Sequence, residues 1–425
     1  MKFTKYLKRK TLQTAFKKKL QHKYTLGTDG ISTHKFSEII DEEITLIKRK
    51  VKNLTYNISP YKEQLILKSR DSNPRMISIP TNRDKLVLNA LQKFLAKKFK
   101  DKLSDDNVST KIHGIKKDIE SKKYDSYIKL DIESFYPSID HQILLEKVQK
   151  EVKDEKALYL LEKALTQITI PKGRRKDKQN NIQTKGVPQG LSISNILSSV
   201  YLTDLDIKYT QAENLQYYRF VDDILILCNK TDVESIKESI CEDAAKLLLT
   251  VHEFKEGSDK SSSGIIHKDK FQFLGFEFDN NTISVREQSI DKLRDRIITV
   301  FYKNIGTGIF KGIDYNSKDL YRELNLKISG CVYKNKSYGW MQFFRQIDNQ
   351  KQLYSLDSFV KKLFKRFKLK YKETKIKKFT KTYFYLKNYD IEKLNNKSYI
   401  PRFEAHVSKK IKGIILDIED DIEFY

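Results

Sequence analysis

The chain has 425 residues, 39% of them hydrophobic, with 23 Phe and 24 Tyr, which excludes a disordered polymer. Lys and Arg number 82 against 56 Asp and Glu, and the net charge of +26 points to a polyanionic partner. Three cysteines with no CxxC pair exclude a zinc ribbon and a disulfide framework, and no run approaches the roughly 18 apolar residues of a membrane span.

The expected protein is therefore soluble and cytoplasmic, with two or three domains. Its basic start, MKFTKYLKRKTLQTAFKKKL, has no apolar h-region and does not read as a signal peptide. Leu12, Phe16 and Leu20 recur there at helical spacing. A turn at Gly27-Thr28-Asp29-Gly30 precedes a predicted helix from Ser32 to about Lys52. Residues 61–80 read as two strands around Asp71-Ser72-Asn73-Pro74, and residues 84–100 as a helix with a leucine stripe. From 124 to 280 strands and helices alternate: a strand through YDSYIKLDIESFY, a helix after Asp140, a helix over 191–206, a hairpin over 216–228 and a helix over 231–250. Strand returns at 271–285, and beyond 286 the pattern is mainly helical. This mixture predicts an α+β fold in which helices back an antiparallel sheet.

Three segments carry chemistry. In YYRFVDDILILC, two β-prone runs flank Asp222 and Asp223 at a hairpin turn. Two carboxylates about 4 Å apart repel by roughly 4 kcal/mol at an effective dielectric of 20, and a divalent cation relieves that most directly. Taken alone, the pair is equally an ordinary solvated turn. In YIKLDIESFYPSID, Ile128, Leu130 and Ile132 alternate toward one strand face, which sends Lys129, Asp131 and Glu133 to the other. In KGVPQGLSISNILSSVYLTDLD, Gly186, Pro188 and Gly190 break the chain before a helix starting near Leu191. Ser192, Ser194, Ser198 and Ser199 keep one of its faces small enough for a base pair to lie close.

The order Asp131, then Pro188-Gln189-Gly190, then Phe220-Val221-Asp222-Asp223, then Phe273-Leu274-Gly275-Phe276 resembles motifs A, B, C and E of reverse transcriptases. GTDGIS at 27–32 and PRMISIPTNRDKLVLNAL at 74–91 resemble further motifs of the group II intron type. The resemblance covers about residues 25–285 and is nearest to the bacterial group of intron, retron, abortive-infection and defence-associated enzymes. There are departures. Val221 stands where many relatives carry Ala, and Ser194-Asn195 replaces a frequent Ser-Pro pair. A VTG-type retron motif and a Cys-rich nuclease are missing, so a stand-alone defence-associated enzyme, of the type-two kind, fits best.

The resemblance implies a right-hand polymerase: a basic extension over 1–24, fingers and palm over 25–285, a helical thumb over 286–365 and a basic, then acidic, RNA-binding extension over 366–425. It implies that Asp131, Asp222 and Asp223, with the Ile132 carbonyl, hold two Mg²⁺ ions, Mn²⁺ being the alternative. Tyr136 takes the steric-gate position against a ribose 2′-hydroxyl, and Gln189 sits near the incoming nucleotide. Lys68 and Arg75 match the triphosphate-binding pair, and either Lys255 or Lys260 contacts the leaving phosphate. The run at 361–382 holds eleven cations and one acid, with Phe364, Phe367, Tyr371 and Phe379 among them. It suits RNA contact through Lys361, Lys362, Lys365, Arg366, Lys368 and Lys370, with the aromatics available for stacking. Tyr333, Tyr338 and Trp340 beside Lys334 and Lys336 suit the same role, although core packing explains the Trp equally well.

The expected function is RNA-directed DNA synthesis on an associated structured noncoding RNA, with dNTPs as substrates and cDNA as product, in antiphage defence. Two alternatives stand beside it: a template-independent polymerase primed from a protein hydroxyl such as Tyr425, and a noncatalytic RNA-binding scaffold.

Overall fold

A computed structural model of the chain describes residues 2–20, 25–67, 74–103, 106–171, 183–305, 317–388, 394–395, 397–404, 407–408, 411–415 and 418. The strands among them are β1 (Tyr61–Ile66), β2 (Arg75–Ile79), β3 (Ser126–Asp131), β4 (Thr169–Ile170), β5 (Leu215–Phe220), β6 (Asp223–Cys228) and β7 (Ser262–Ile265). They continue with β8 (Phe271–Phe273), β9 (Phe276–Asp279), β10 (Thr282–Val285), β11 (Cys331–Tyr333), β12 (Lys336–Tyr338) and β13 (Arg402–Phe403). Four sheets result, in the orders β2-β1-β4, β5-β6-β3-β7, β10-β9-β8 and β12-β11-β13. The chain divides into two compact units. One comprises Met1–Asp105, Leu130–Ile226 and Thr231–Phe254, the other Asp106–Lys129, Leu227–Lys230 and Lys255–Tyr425.

In the first unit, Leu12, Phe16 and Leu20 of the N-terminal segment are buried, as their spacing predicts, and so is Phe3. Phe3 meets the edge of Phe94 at 5.5 Å, and its backbone N–H donates to Asp154 Oδ2 at 2.9 Å. The helix Asn82–Lys98 supplies most of the wall behind them, with Leu86, Val87, Leu91 and Phe94 fully buried. Its start is capped by Thr81, whose hydroxyl accepts from the Asp84 N–H and donates to the Asp84 carboxylate. The expected single helix from Ser32 is two, Thr33–Glu38 and Ile40–Lys52, because Ile39 leaves helical geometry at φ −104°, ψ 9°. The expected helix over 191–206 likewise divides into Ser194–Tyr201 and Thr203–Thr210, with Leu202 buried at the break.

In the second unit the strand hairpin β9–β10 turns on Asn280 and Asn281, both at left-handed φ near 50°, which asparagine tolerates better than other side chains. The helices Glu287–Ile305, Ser317–Ser329 and Gln350–Arg366 bury Phe301, Leu324 and Phe364. Trp340 is core: it is 4% exposed, 4.8 Å from Phe344 and edge-on to Phe379.

Lys377 lies partly buried beside Cys331, its ammonium donating to Ser329 Oγ at 3.0 Å. Burial pulls this lysine down to about 8 and pushes the Cys331 thiol up to about 12. Between pH 8 and lysine's ordinary value of about 10.4, the unfolded chain binds more protons at Lys377 than the folded one, so this group makes stability rise with pH. The thiol acts oppositely above about pH 8.5. The wild-type minus Lys377→Met unfolding free energy, measured in urea, is therefore expected to climb by about 3 kcal/mol across that window.

Candidate active site

Asp131 ends β3, all six residues of which are buried. Asp131 is 7% exposed, because packing covers both faces of the strand rather than the apolar one alone. Just beyond, Ile132 bridges Val251. The His252 N–H donates to the Asp131 carbonyl at 3.0 Å and the Glu133 N–H to the Thr250 carbonyl at 2.8 Å. In such a non-hydrogen-bonded pair Ile132's own N–H and C=O point away from the bridge, which leaves its carbonyl on the opposite edge. The same bridge delivers a side chain that sequence reasoning missed. His252 Nε2 lies 3.6 Å from Asp131 Oδ2 and Nδ1 lies 3.3 Å from Glu133 Oε1. Only the alternation of strand signals around a lone histidine hinted at it, and that hint is weak.

Asp222 stands in the two-residue turn between β5 and β6, and Asp223 opens β6; both are half-buried. Such turns favour glycine or asparagine, yet Val221 occupies the left-handed region at φ 58°. For a β-branched residue that is strained by about 1–3 kcal/mol. Arg219 holds it there. Its Nη1 donates to the Val221 carbonyl at 2.9 Å, while Nε and Nη2 grip both oxygens of Asp206. Burial opposes the Arg219 charge, but the Asp206 carboxylate prevails and raises the guanidinium above its ordinary value.

Tyr136 follows Ser134, itself left-handed at φ 44°, in the short helix Phe135–Ser138. Its hydroxyl donates to Asn195 Oδ1 at 2.9 Å, and its carbonyl accepts from the Val187 N–H at 2.8 Å. Burial pushes the phenol above its ordinary range; the Ser198 hydrogen bond and Arg75 oppose this, and the charge of Asp222 adds to it. Tyr136 thus lies within electrostatic reach of both Asp222 and Arg75. Arg75 is the exposed first residue of β2.

Gln189 is half-buried, and its carbonyl accepts from the Ser78 N–H at 2.7 Å, tying the Pro188-Gln189-Gly190 loop to β2. Gly190 makes this approach possible. At φ 96° a Cβ would stand 2.5 Å from Ile77 Cγ2 and 3.3 Å from the Ser78 carbonyl. Gly190→Ala is expected to destabilise the first unit by about 2–3 kcal/mol in urea titration, from backbone strain with the contact added. Of the four serines expected to form a small open face after this loop, Ser192 is exposed and Ser199 half-buried, but the other two are covered. Ser194 is 2% exposed and its hydroxyl donates to the Pro188 carbonyl, and Ser198 is fully buried.

Lys68 and Tyr425 lie outside the described residues. Lys255 and Lys260 are exposed and belong to the second unit. There too, Lys361, Lys362, Lys365, Arg366, Lys368 and Lys370 are all exposed. Of the aromatics among them, Phe364, Phe367 and Phe379 are buried and closed to stacking, as is Tyr333, while Tyr371 and Tyr338 are half-buried. These rings fill the helix core while the cations fan outward. Among the described residues, no helix is long and apolar enough to cross a membrane.

The carboxylates of Asp131, Asp222 and Asp223 and the Ile132 carbonyl are hard oxygen donors, which fit a divalent cation such as Mg²⁺. Among the described residues, no three or more His, Cys, Asp or Glu side chains gather in a metal-holding group. Mg²⁺ does not call for one, since it is usually held by one or two carboxylates together with substrate phosphates.

The group II intron-encoded protein LtrA of Lactococcus lactis subsp. cremoris is 26% identical over 188 residues, 42% of this chain and 30% of that protein. The putative COX1/OXI3 intron 2 protein of Saccharomyces cerevisiae is 28% identical over 150 residues, 32% of this chain and 16% of that one. The chain therefore spans less than a third of the length of these relatives. A structure of telomerase from Candida albicans, in complex with the TWJ fragment of telomeric RNA, aligns with 92% of this chain and 63% of its own at TM-score 0.48 and 13% identity. The reverse transcriptase (RNA-dependent DNA polymerase) family model matches residues 61–278, which takes in β1 through β8 and Asp131, Asp222 and Asp223. With half of its length so matched, the chain belongs to the reverse transcriptase family and has that family's α+β, right-hand polymerase class of fold.

Proposed function

We propose that this protein is an RNA-directed DNA polymerase that copies a structured noncoding RNA with dNTPs. The observation that carries this is the family match across the segment in which Tyr136 lies within electrostatic reach of both Asp222 and Arg75. In this reading residues 25–285 are fingers and palm, 286–365 the thumb and 366–425 an RNA-binding extension. The antiphage role and the bacterial defence lineage rest on the resemblance in the sequence, and a cytoplasmic setting on its three scattered cysteines.

Asp131, Asp222 and Asp223, with the Ile132 carbonyl, would hold Mg²⁺. Such ions activate a primer 3′-hydroxyl and neutralise charge on the triphosphate and leaving pyrophosphate. Arg75 binds phosphate through a forked pair of donors. The Tyr136 ring excludes a ribose 2′-hydroxyl, and Gln189 borders the nucleotide from the loop fixed to β2. Lys255 or Lys260 meets the leaving phosphate. The exposed cations of 361–370 contact RNA phosphates, with Phe364 and Phe367 buried beneath them.

The test is to purify the protein from its native cells, sequence the nucleic acid bound to it, and assay dNTP incorporation on a primed RNA. A discrete RNA with complementary DNA, and extension of the primer, is the expected result. DNA attached covalently to the protein would establish the protein-primed alternative instead. Absence of incorporation with RNA still bound would establish the scaffold.

A further inference from the structure

The Tyr136 ring turns about two side-chain torsions, and a gate is only as selective as its position is fixed. Here its tip is held. The hydroxyl donates to Asn195 Oδ1 at 2.9 Å, and both residues lie in the first unit. Asn195 is exposed but its backbone is anchored on both sides. The Ser194 hydroxyl donates to the Pro188 carbonyl at 2.6 Å, and the Ser198 hydroxyl donates to the Asn195 carbonyl at 2.9 Å. The acceptor is thus fastened to the same loop that Gly190 seats on β2.

We propose that Asn195 is a positioning residue for sugar discrimination, latching the Tyr136 ring where it meets the 2′ position of an incoming nucleotide. The inference rests on the reading of Tyr136 as the gate. Without the latch the ring swings aside and ribonucleotides enter more readily, while the acidic residues are untouched.

The experiment measures kcat/KM for a dNTP and the matching rNTP on a primed RNA with Mg²⁺. Asn195→Ala and Tyr136→Phe each remove one half of the hydrogen bond, and each is expected to lower the dNTP-over-rNTP ratio about fivefold, the size of one net hydrogen bond. The double variant is expected to fall no further than Tyr136→Phe alone, because that change already deletes the bond to Asn195 together with the one to Ser198. Tyr136→Ala, which removes the ring, is expected to lower the ratio much more. An unchanged ratio in Asn195→Ala beside a collapsed ratio in Tyr136→Ala overturns the latch and leaves the gate standing. An unchanged ratio in Tyr136→Ala overturns the gate and the latch together. Equal losses for both nucleotides in Asn195→Ala and in Tyr136→Phe, with the ratio kept, also overturn the latch.

Discussion

Asp222→Ala is expected to lower dNTP incorporation on a primed RNA by about a thousandfold or more, a barrier increase of about 4 kcal/mol. The choice of residue matters. Asp131 is 7% exposed at the end of a strand buried on both faces, so truncating it would mix damage to packing with damage to chemistry. Asp222 is half-buried in a two-residue turn and is followed at once by a second carboxylate. Removing one of two adjacent like charges relieves repulsion, which offsets what the turn loses in contacts. The unfolding midpoint is therefore expected to stay within a few degrees of wild type, and RNA retained through the exposed cations of 361–370 is expected to be unchanged. Incorporation, thermal unfolding and RNA retention measured on one preparation check all three. Near-normal incorporation by the variant would remove Asp222 from any cation-holding role and, with it, the mechanism built on the acidic set.

Much of this site was legible because its signals are local. The β-prone runs around Asp222 predict a hairpin, and β5 and β6 are there. The breaks at Gly186, Pro188 and Gly190 predict a loop before a helix, and Gly190 has the positive φ and close contact that explain it. Features set by tertiary packing were not legible. Alternation in β3 distinguishes two faces but not whether both are covered, and Lys129 and Asp131 are buried like the apolar residues between them. His252 reaches Asp131 through an isolated bridge between residues distant in sequence, and no periodicity announces such a pair. Strands β11 to β13 have two or three residues each, and β11 pairs in parallel with a partner some seventy residues on, so a helical reading of that region passed over them. The aromatics near residue 364 are a different case. Leu353, Leu356, Val360, Leu363 and Phe364 recur at helical spacing and are buried, a pattern present in the sequence but obscured by the density of lysines around it.

Arg219→Ala is expected to destabilise the first unit by about 3–5 kcal/mol, because it strips one partner from a largely buried ion pair. The side chain of Arg219 is 10% exposed and that of Asp206 22%. Tyr217, whose hydroxyl donates to Asp206 Oδ1 at 3.1 Å, cannot supply the missing charge. Lysine at 219 is expected to recover little, since a point charge cannot span both carboxylate oxygens and also reach the Val221 carbonyl at once. Stability is only part of the effect. Val221 sits at φ 58° at a cost of about 1–3 kcal/mol, and Arg219 is the donor that holds its carbonyl. Once released, the turn relaxes toward an ordinary conformation and carries Asp222 with it, so incorporation should fall further than the folded fraction does. Glycine adopts a positive φ without the steric penalty, so adding Val221→Gly to Arg219→Ala is expected to restore activity severalfold while leaving most of the stability loss in place. Urea unfolding gives the first quantity, and incorporation per folded molecule gives the second. If the double variant regains no activity over Arg219→Ala, the strained turn is not what Arg219 maintains, and its role reduces to the ion pair with Asp206.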